Sequence, residues 1–150
     1  MKKIVLLAIV LISAFYSCEK DDICIEETTP KLIIQFYDDA NSTELKKVTS
    51  LTVWAADNDS IYTNQSLDSI AIPLNLNKDA TLYKFSSETL QDEISFNYNR
   101  SAVFVSRSCG YKTIFNEIEI ASNTSNWIKR IEIINPTIEN ETTTHIHIFH

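Results

Sequence analysis

The sequence predicts an all-β fold, an antiparallel two-layer β-sandwich of about eight or nine short strands. Three observations point there. Short runs of β-branched and aromatic residues recur between polar clusters. With one glycine and three prolines in 150 residues, the turns fall to Asn, Asp, Ser and Thr, whose side chains bond nearby backbone. Residues 93–99 alternate cleanly, with Ile94, Phe96 and Tyr98 on one face and Ser95, Asn97 and Asn99 on the other.

The elements follow in order. Lys31–Tyr37 is the first strand, ended by the polar run Asp38–Asn41. Val48–Ala56 alternates, with Leu51, Val53 and Ala55 on one face, and Asp57, Asn58 and Asp59 then turn the chain. Ser69–Leu74 is a strand that Pro73 moves toward an edge or a bulge, because proline cannot donate to a ladder. Thr81–Phe85 follows. Glu93–Asn99 and Ala102–Arg107 read as a hairpin turning at Asn99 and Arg100. Lys112–Ile120 fits a helix or a strand, and the shared parity of Ile114, Ile118 and Ile120 favours the strand. Ser122–Asn126 is a loop, and Trp127–Ile134 and Thr144–Phe149 complete the set. An immunoglobulin-like sandwich is the first expectation and a closed β-barrel the alternative.

Residues 1–17 read as a signal peptide. Lys2 and Lys3 precede an apolar run from Ile4 to Ile12, and Ser17 stands before Cys18. The run falls short of the ~20 apolar residues that span a bilayer, so a retained transmembrane helix is the weaker reading. Ser17 and Cys18 at its end resemble a lipobox, where a signal peptidase cuts and the cysteine carries the lipid. Phe15 and Tyr16 depart from the usual small or aliphatic pattern, as in the relaxed lipoboxes of Bacteroidota. The alternative is an ordinary secretory signal with a chance cysteine. Residues 18–30 then form a lipidated acidic tether, with residues 31–150 as the β-sandwich domain. Lys20, Asp21 and Asp22 resemble the export signal that carries some lipoproteins of that phylum to the outer leaflet; the alternative is a solvated tether without an address.

Loss of residues 1–17 leaves 133 residues, with 11 basic side chains against 20 acidic ones and a net charge of −9. That is one domain with room for a core. The negative charge argues against nucleic acid as a partner and against electrostatic adhesion to anionic lipid. With Cys18 acylated, Cys24 and Cys109 remain. Export places them in an oxidising compartment, which predicts a Cys24–Cys109 disulfide; two separate thiols are the alternative.

Several stretches stand out together: Cys18–Cys24 (CEKDDIC), Thr29–Ile34 (TPKLII), Asp68–Pro73 (DSIAIP), Val105–Lys112 (VSRSCGYK), Trp127–Ile128 and Ile131–Pro136 (IEIINP). Together they resemble a family of small flavobacterial lipoproteins known as domain of unknown function family 6452. The likeness covers essentially the whole mature chain. It implies a lipoprotein of that phylum, and no activity, substrate or catalytic residue. It sets Cys24 and Cys109 inside two of the family's stretches, in keeping with the pairing.

Candidate chemistry is sparse. His145 and His147 share a strand face if Thr144–Phe149 is extended, and with a third ligand such as Glu139 or Glu141 they would hold a metal. The competing reading turns them to solvent. No Gly-x-Ser-x-Gly is present, and Cys–His catalysis conflicts with the disulfide. Asp38, Asp39, Asp57 and Asp59 sit in turns, where Asp is expected for backbone reasons. Asp59-Ser60-Ile61 and Asp68-Ser69-Ile70 resemble an O-glycosylation triplet of that phylum, making Ser60 and Ser69 candidates. Trp54, Tyr62, Tyr111 and Trp127 either line a sugar- or peptide-binding face or fill the core, and the core is favoured.

No enzyme and no cofactor is expected. The leading expectation is an outer-membrane lipoprotein of the cell envelope, fixed to the bilayer through acylated Cys18. Its β-domain binds or scaffolds an envelope protein or glycan without catalysis. A glycan- or peptide-binding accessory for uptake, and a metal-binding or hydrolytic protein using the C-terminal histidines, are the alternatives.

Overall fold

The computed structural model describes residues 23–25, 28–55 and 59–150. Within them nine strands run in order: β1 (Leu32–Tyr37), β2 (Val48–Ala55), β3 (Ser60–Leu67), β4 (Ser69–Ile72), β5 (Ala80–Ser87), β6 (Leu90–Ser106), β7 (Gly110–Asn123), β8 (Arg130–Ile133) and β9 (Ile146–Phe149). They form a four-stranded sheet, β4-β1-β9-β8, and a five-stranded sheet, β3-β2-β5-β6-β7. The all-β sandwich expectation holds, and the two sheets do not close into a barrel. One pairing departs from the antiparallel expectation: β9 lies parallel to β1.

One core lies between the sheets. Leu32, Ile34, Phe36, Ile70, Ile72 and Ile146 come from the smaller sheet; Leu51, Val53, Tyr83, Phe85, Ile94 and Phe96 come from the larger. Period-two alternation sends every second side chain inward. Pro73 ends β4, which is indeed an edge strand. The outward backbone N–H and C=O of Ala71 on that edge both bond the Tyr62 hydroxyl, at 3.0 and 3.1 Å.

Three residues with left-handed φ shift register within the larger sheet. Ser50 (φ 53°), Asn64 (φ 50°) and Glu117 (φ 53°) each sit where the ladder gains a residue. Each bulge changes which parity faces the core. The one after Val48 lets Val48 join Leu51 and Val53 inside. The one at Glu117 overturns the parity read from sequence: Phe115 and Ile118 are buried together, while Ile114 is only half-buried.

The hairpin expected at Asn99 and Arg100 does not exist. β6 runs straight through, with Asn99 opposite Asn116 and Arg100 opposite Phe115. Alternation fades there because the strand leaves the core, not because the chain turns. β5 pairs with β6 only as far as Asn97. Beyond it, β6 and β7 project as a two-stranded arm that turns at Arg107–Cys109. β3 carried no strand signal because its residues are exposed or half-buried at a sheet edge. β8 is shorter than the expected Trp127–Ile134, since residues 127 and 128 are held by side-chain bonds outside any ladder. β7 reaches Asn123, into the expected loop.

Side chains of β6 fasten two of the crossings between sheets. Asp92 is fully buried. Its carboxylate accepts from Thr124 Oγ1 and the Asn126 N–H at 2.7 Å each, and from the N–H groups of Trp127 and Ile128 at 2.8 and 2.9 Å. The Tyr98 hydroxyl, with Thr81 Oγ1 at 2.6 Å, bonds the backbone of Asn75. Arg100 pairs with Asp79 at 2.6 Å and donates to the carbonyl of Leu76.

Candidate functional site

The candidate site grows from the segment between β4 and β5. Asn75 Oδ1 accepts from the N–H groups of Asn77 and Lys78, at 2.8 and 3.1 Å, and so closes a tight turn. With Tyr98 and Arg100 holding its two ends, this loop overhangs β6. Three adjoining open clefts surround it. The first, about 470 Å³, is lined by Lys78, Asp79, Asn97, Asn99, Glu117 and Glu119 among others. The second, about 400 Å³, meets Leu74, Asn75, Thr81 and Ser95. The third lies between Leu76, Arg100 and Thr113.

Glu117 is the unusual residue here. A non-glycine side chain in the left-handed region costs about 1–3 kcal/mol and persists only where its surroundings over-determine it. Asn99 Nδ2 bonds its carboxylate at 2.5 Å, and the next N–H, of Ile118, donates to the carbonyl of Pro136 at 2.9 Å. Carboxylates, amides and one ammonium therefore face a common concave surface. Such groups bond hydroxyls or peptide units. No histidine or cysteine lines any of the three clefts.

The residues singled out from sequence are scattered. Cys18, Lys20, Asp21 and Asp22, the whole of residues 1–17, and the turn residues Asp57 and Asn58 lie outside the described residues. Cys24 and Cys109 are joined in a disulfide with a Cα–Cα distance of 4.9 Å. It staples the start of the chain to the tip of the arm. Ser60 is exposed at the head of β3, and Ser69 is half-buried at the head of β4.

The structure puts the two histidines in different settings. His145 precedes β9 and is fully buried. Its Nδ1 accepts from the Ile33 N–H at 3.0 Å, while its own N–H donates to the Ile33 carbonyl at 3.0 Å. The ring thus substitutes for a carbonyl in the sheet. Nε2 then carries the proton, and it is buried without a partner. Burial lowers the His145 pKa, with the nearby Glu141 working weakly the other way. His147 stands half-buried against Tyr37, ring centroids 4.5 Å apart. Glu141 is occupied by the Lys31 N–H at 3.0 Å. No group of three metal-ligating side chains occurs among the described residues.

Of the four aromatics, Trp127 is core, its Nε1 donating to the Phe85 carbonyl at 3.2 Å. Trp54 and Tyr62 are half-buried, and only Tyr111 is exposed. They line no common face. Sequence reasoning missed Asp92, Asn99 and Glu117. Asp92 had one signal, as an acidic residue in phase with Ile94, Phe96 and Tyr98.

A family described as of unknown function, DUF6452, matches residues 50–150, which is two thirds of the chain. The chain belongs to DUF6452. No curated protein and no solved structure matches it. The matched stretch of this DUF6452 chain contains Asp92, the clefts, the arm and Cys109; Cys24 lies before it.

Proposed function

We propose that this DUF6452 chain is a Bacteroidota envelope lipoprotein. In this reading it is cleaved after Ser17 and held in the outer membrane by acylated Cys18. Its β-sandwich presents the polar clefts around the β4–β5 loop to an envelope partner without catalysing a reaction. The observation that carries the reading is the Cys24–Cys109 disulfide. Disulfides persist in oxidising compartments, and this one stands six residues after the lipobox-like cysteine. Lys20, Asp21 and Asp22 supply the outer-leaflet address in the same reading.

The test is to express the full chain and its Cys18→Ser variant and feed the cells an alkyne-tagged fatty acid. The wild type takes up the label and stays with membranes, and the variant does neither. A labelled, membrane-bound Cys18→Ser variant contradicts the anchor.

A second reading, an accessory that binds glycan or peptide for uptake, is favoured by the amide and carboxylate lining of the first cleft. Envelope fragments that the full chain retains, and that Asn97→Ala or Glu117→Ala releases, support it. Retention unchanged by either substitution contradicts it.

A further inference from the structure

We infer that the tip of the β6–β7 arm is a second membrane contact, one that docks on the same bilayer that holds the lipid anchor and so fixes the domain's orientation. This rests on the anchor at Cys18 proposed above.

The arm is built unlike the rest of the molecule. Past Asn97 it has no β5 alongside, and residues 99–104 are exposed in succession on both faces. Near its tip Phe104 and Tyr111 are cross-strand partners whose rings meet edge to face, centroids 5.4 Å apart. They are 56% and 71% exposed, beside Val103 at 38%. The disulfide brings two more apolar side chains to the same end, Ile23 at 78% and Ile25 at 89% exposure. Apolar side chains exposed together in this way mark a contact surface, where scattered single ones do not.

Two features select a bilayer as the occupant. The first is reach. Cys18 precedes Cys24 by six residues, and an extended chain spans at most about 3.5 Å per residue. The acyl chains are therefore held within about 20 Å of the disulfide at the arm's tip. The second is charge. From Ile94 to Asn116 the chain has no Asp or Glu; Arg100 is paired with Asp79 at the base of the arm, and Arg107 and Lys112 lie nearer the tip, in a mature chain of net charge −9. Arg107 lies in the tip turn itself. Aromatic rings and cations at a tip suit the headgroup boundary, where Phe and Tyr sit and Arg and Lys meet anionic lipid. In sequence, Asp21, Asp22, Glu26 and Glu27 flank Ile23 and Ile25 and not the arm's own strands, so the contact is centred on Phe104, Tyr111 and Arg107.

The test uses the full lipidated chain, purified from membranes and reconstituted in vesicles of phosphatidylethanolamine and phosphatidylglycerol. The vesicles are doped with a phosphatidylcholine brominated on its acyl chains. Phe104→Trp places an indole at the tip. Leu90→Trp places one at the far end of the same strand, 14 residues or about 46 Å away. The expected result is at least threefold more bromine quenching of the added indole at 104 than at 90, with Tyr111→Trp behaving like Phe104→Trp. Equal quenching at 90 and 104 in chains that float with the vesicles overturns the docking and leaves the anchor standing. A chain that carries no acyl group overturns both.

Discussion

Asp92 has no exposed surface, yet it is the best-bonded side chain among the described residues. Burial pushes its carboxyl pKa up, but the bonds from Asn126, Ile128, Thr124 and Trp127 outweigh that and hold it below the ordinary carboxylate value. Asp92→Asn keeps the volume and turns an NH₂ toward backbone donors. It is expected to cost about 3 kcal/mol in urea unfolding, since buried charge-assisted bonds are lost and donors left unpaired. The half-buried Lys84–Glu93 pair at 3.1 Å is expected to contribute under about 1 kcal/mol. A depressed carboxylate pKa gives stability that is present above the unfolded value of about 3.8 and lost as pH falls toward the folded one. The acid limb of the stability curve should therefore shrink in Asp92→Asn. His145 works at milder pH. Burial lowers His145, His147 and His150 below the ordinary 6.5. The unfolded chain then takes up protons first, and stability falls as pH drops through about 6.5. Urea midpoints measured from pH 7.5 to 5.5 should decline, and less steeply in His145→Leu. A flat profile in the wild type contradicts this assignment. Neither role was legible in sequence. A His-x-His pair suggests a metal, and nothing local reveals that one ring replaces a backbone carbonyl.

At the scale of elements, a core face made most strands readable; of the two that bury nothing fully, β8 was readable and β3 was not. Leu32–Tyr37 and Val48–Ala55 kept nearly the boundaries their alternation gives. β3 buries nothing fully and left no periodic trace. The arm misled for a related reason: where a strand leaves the core its alternation stops, and the break at Asn99 looked like a turn. The turn that does exist is marked by Gly110, at φ 72°, with open space where a Cβ would lie. Gly110→Ala therefore meets backbone strain without a clash and is expected to cost about 1 kcal/mol of unfolding free energy. The disulfide beside it spans a sequence separation of 85. Replacing both partners, Cys24→Ser with Cys109→Ser, should cost about 4.5 kcal/mol in the chain-entropy model. A loss below about 1 kcal/mol in thermal or urea unfolding would show that the crosslink constrains the unfolded chain little. It matters at its own end too. Residues 28–30 follow the free edge of β7, where the Thr113 N–H donates to Thr29 Oγ1 at 3.0 Å, and Pro30 is buried. With the Phe115–Ile138 bridge, this covers an edge open to pairing with another chain.

For the whole molecule, composition and turn chemistry made the layered β architecture legible, and cysteine usage made the crosslink legible. Strand order was not, because it depends on contacts between residues far apart in the chain, such as the parallel β1–β9 pair. The clefts were hidden for the same reason, since Lys78, Asn97 and Glu117 converge only through the overhanging loop and a bulge. One axis joins the functional proposals: acyl group, tether, Cys24–Cys109 staple and arm tip at the membrane, with Asp92 and the far end of β6 away from it. That axis depends on the lipid at residue 18. Its most direct measurement is mass spectrometry of the N-terminal peptide of the chain isolated from membranes. The expected result is a peptide starting at Cys18 with a diacylglyceryl thioether and added fatty acyl mass. A peptide retaining Met1, or one starting elsewhere with Cys18 unmodified, contradicts it.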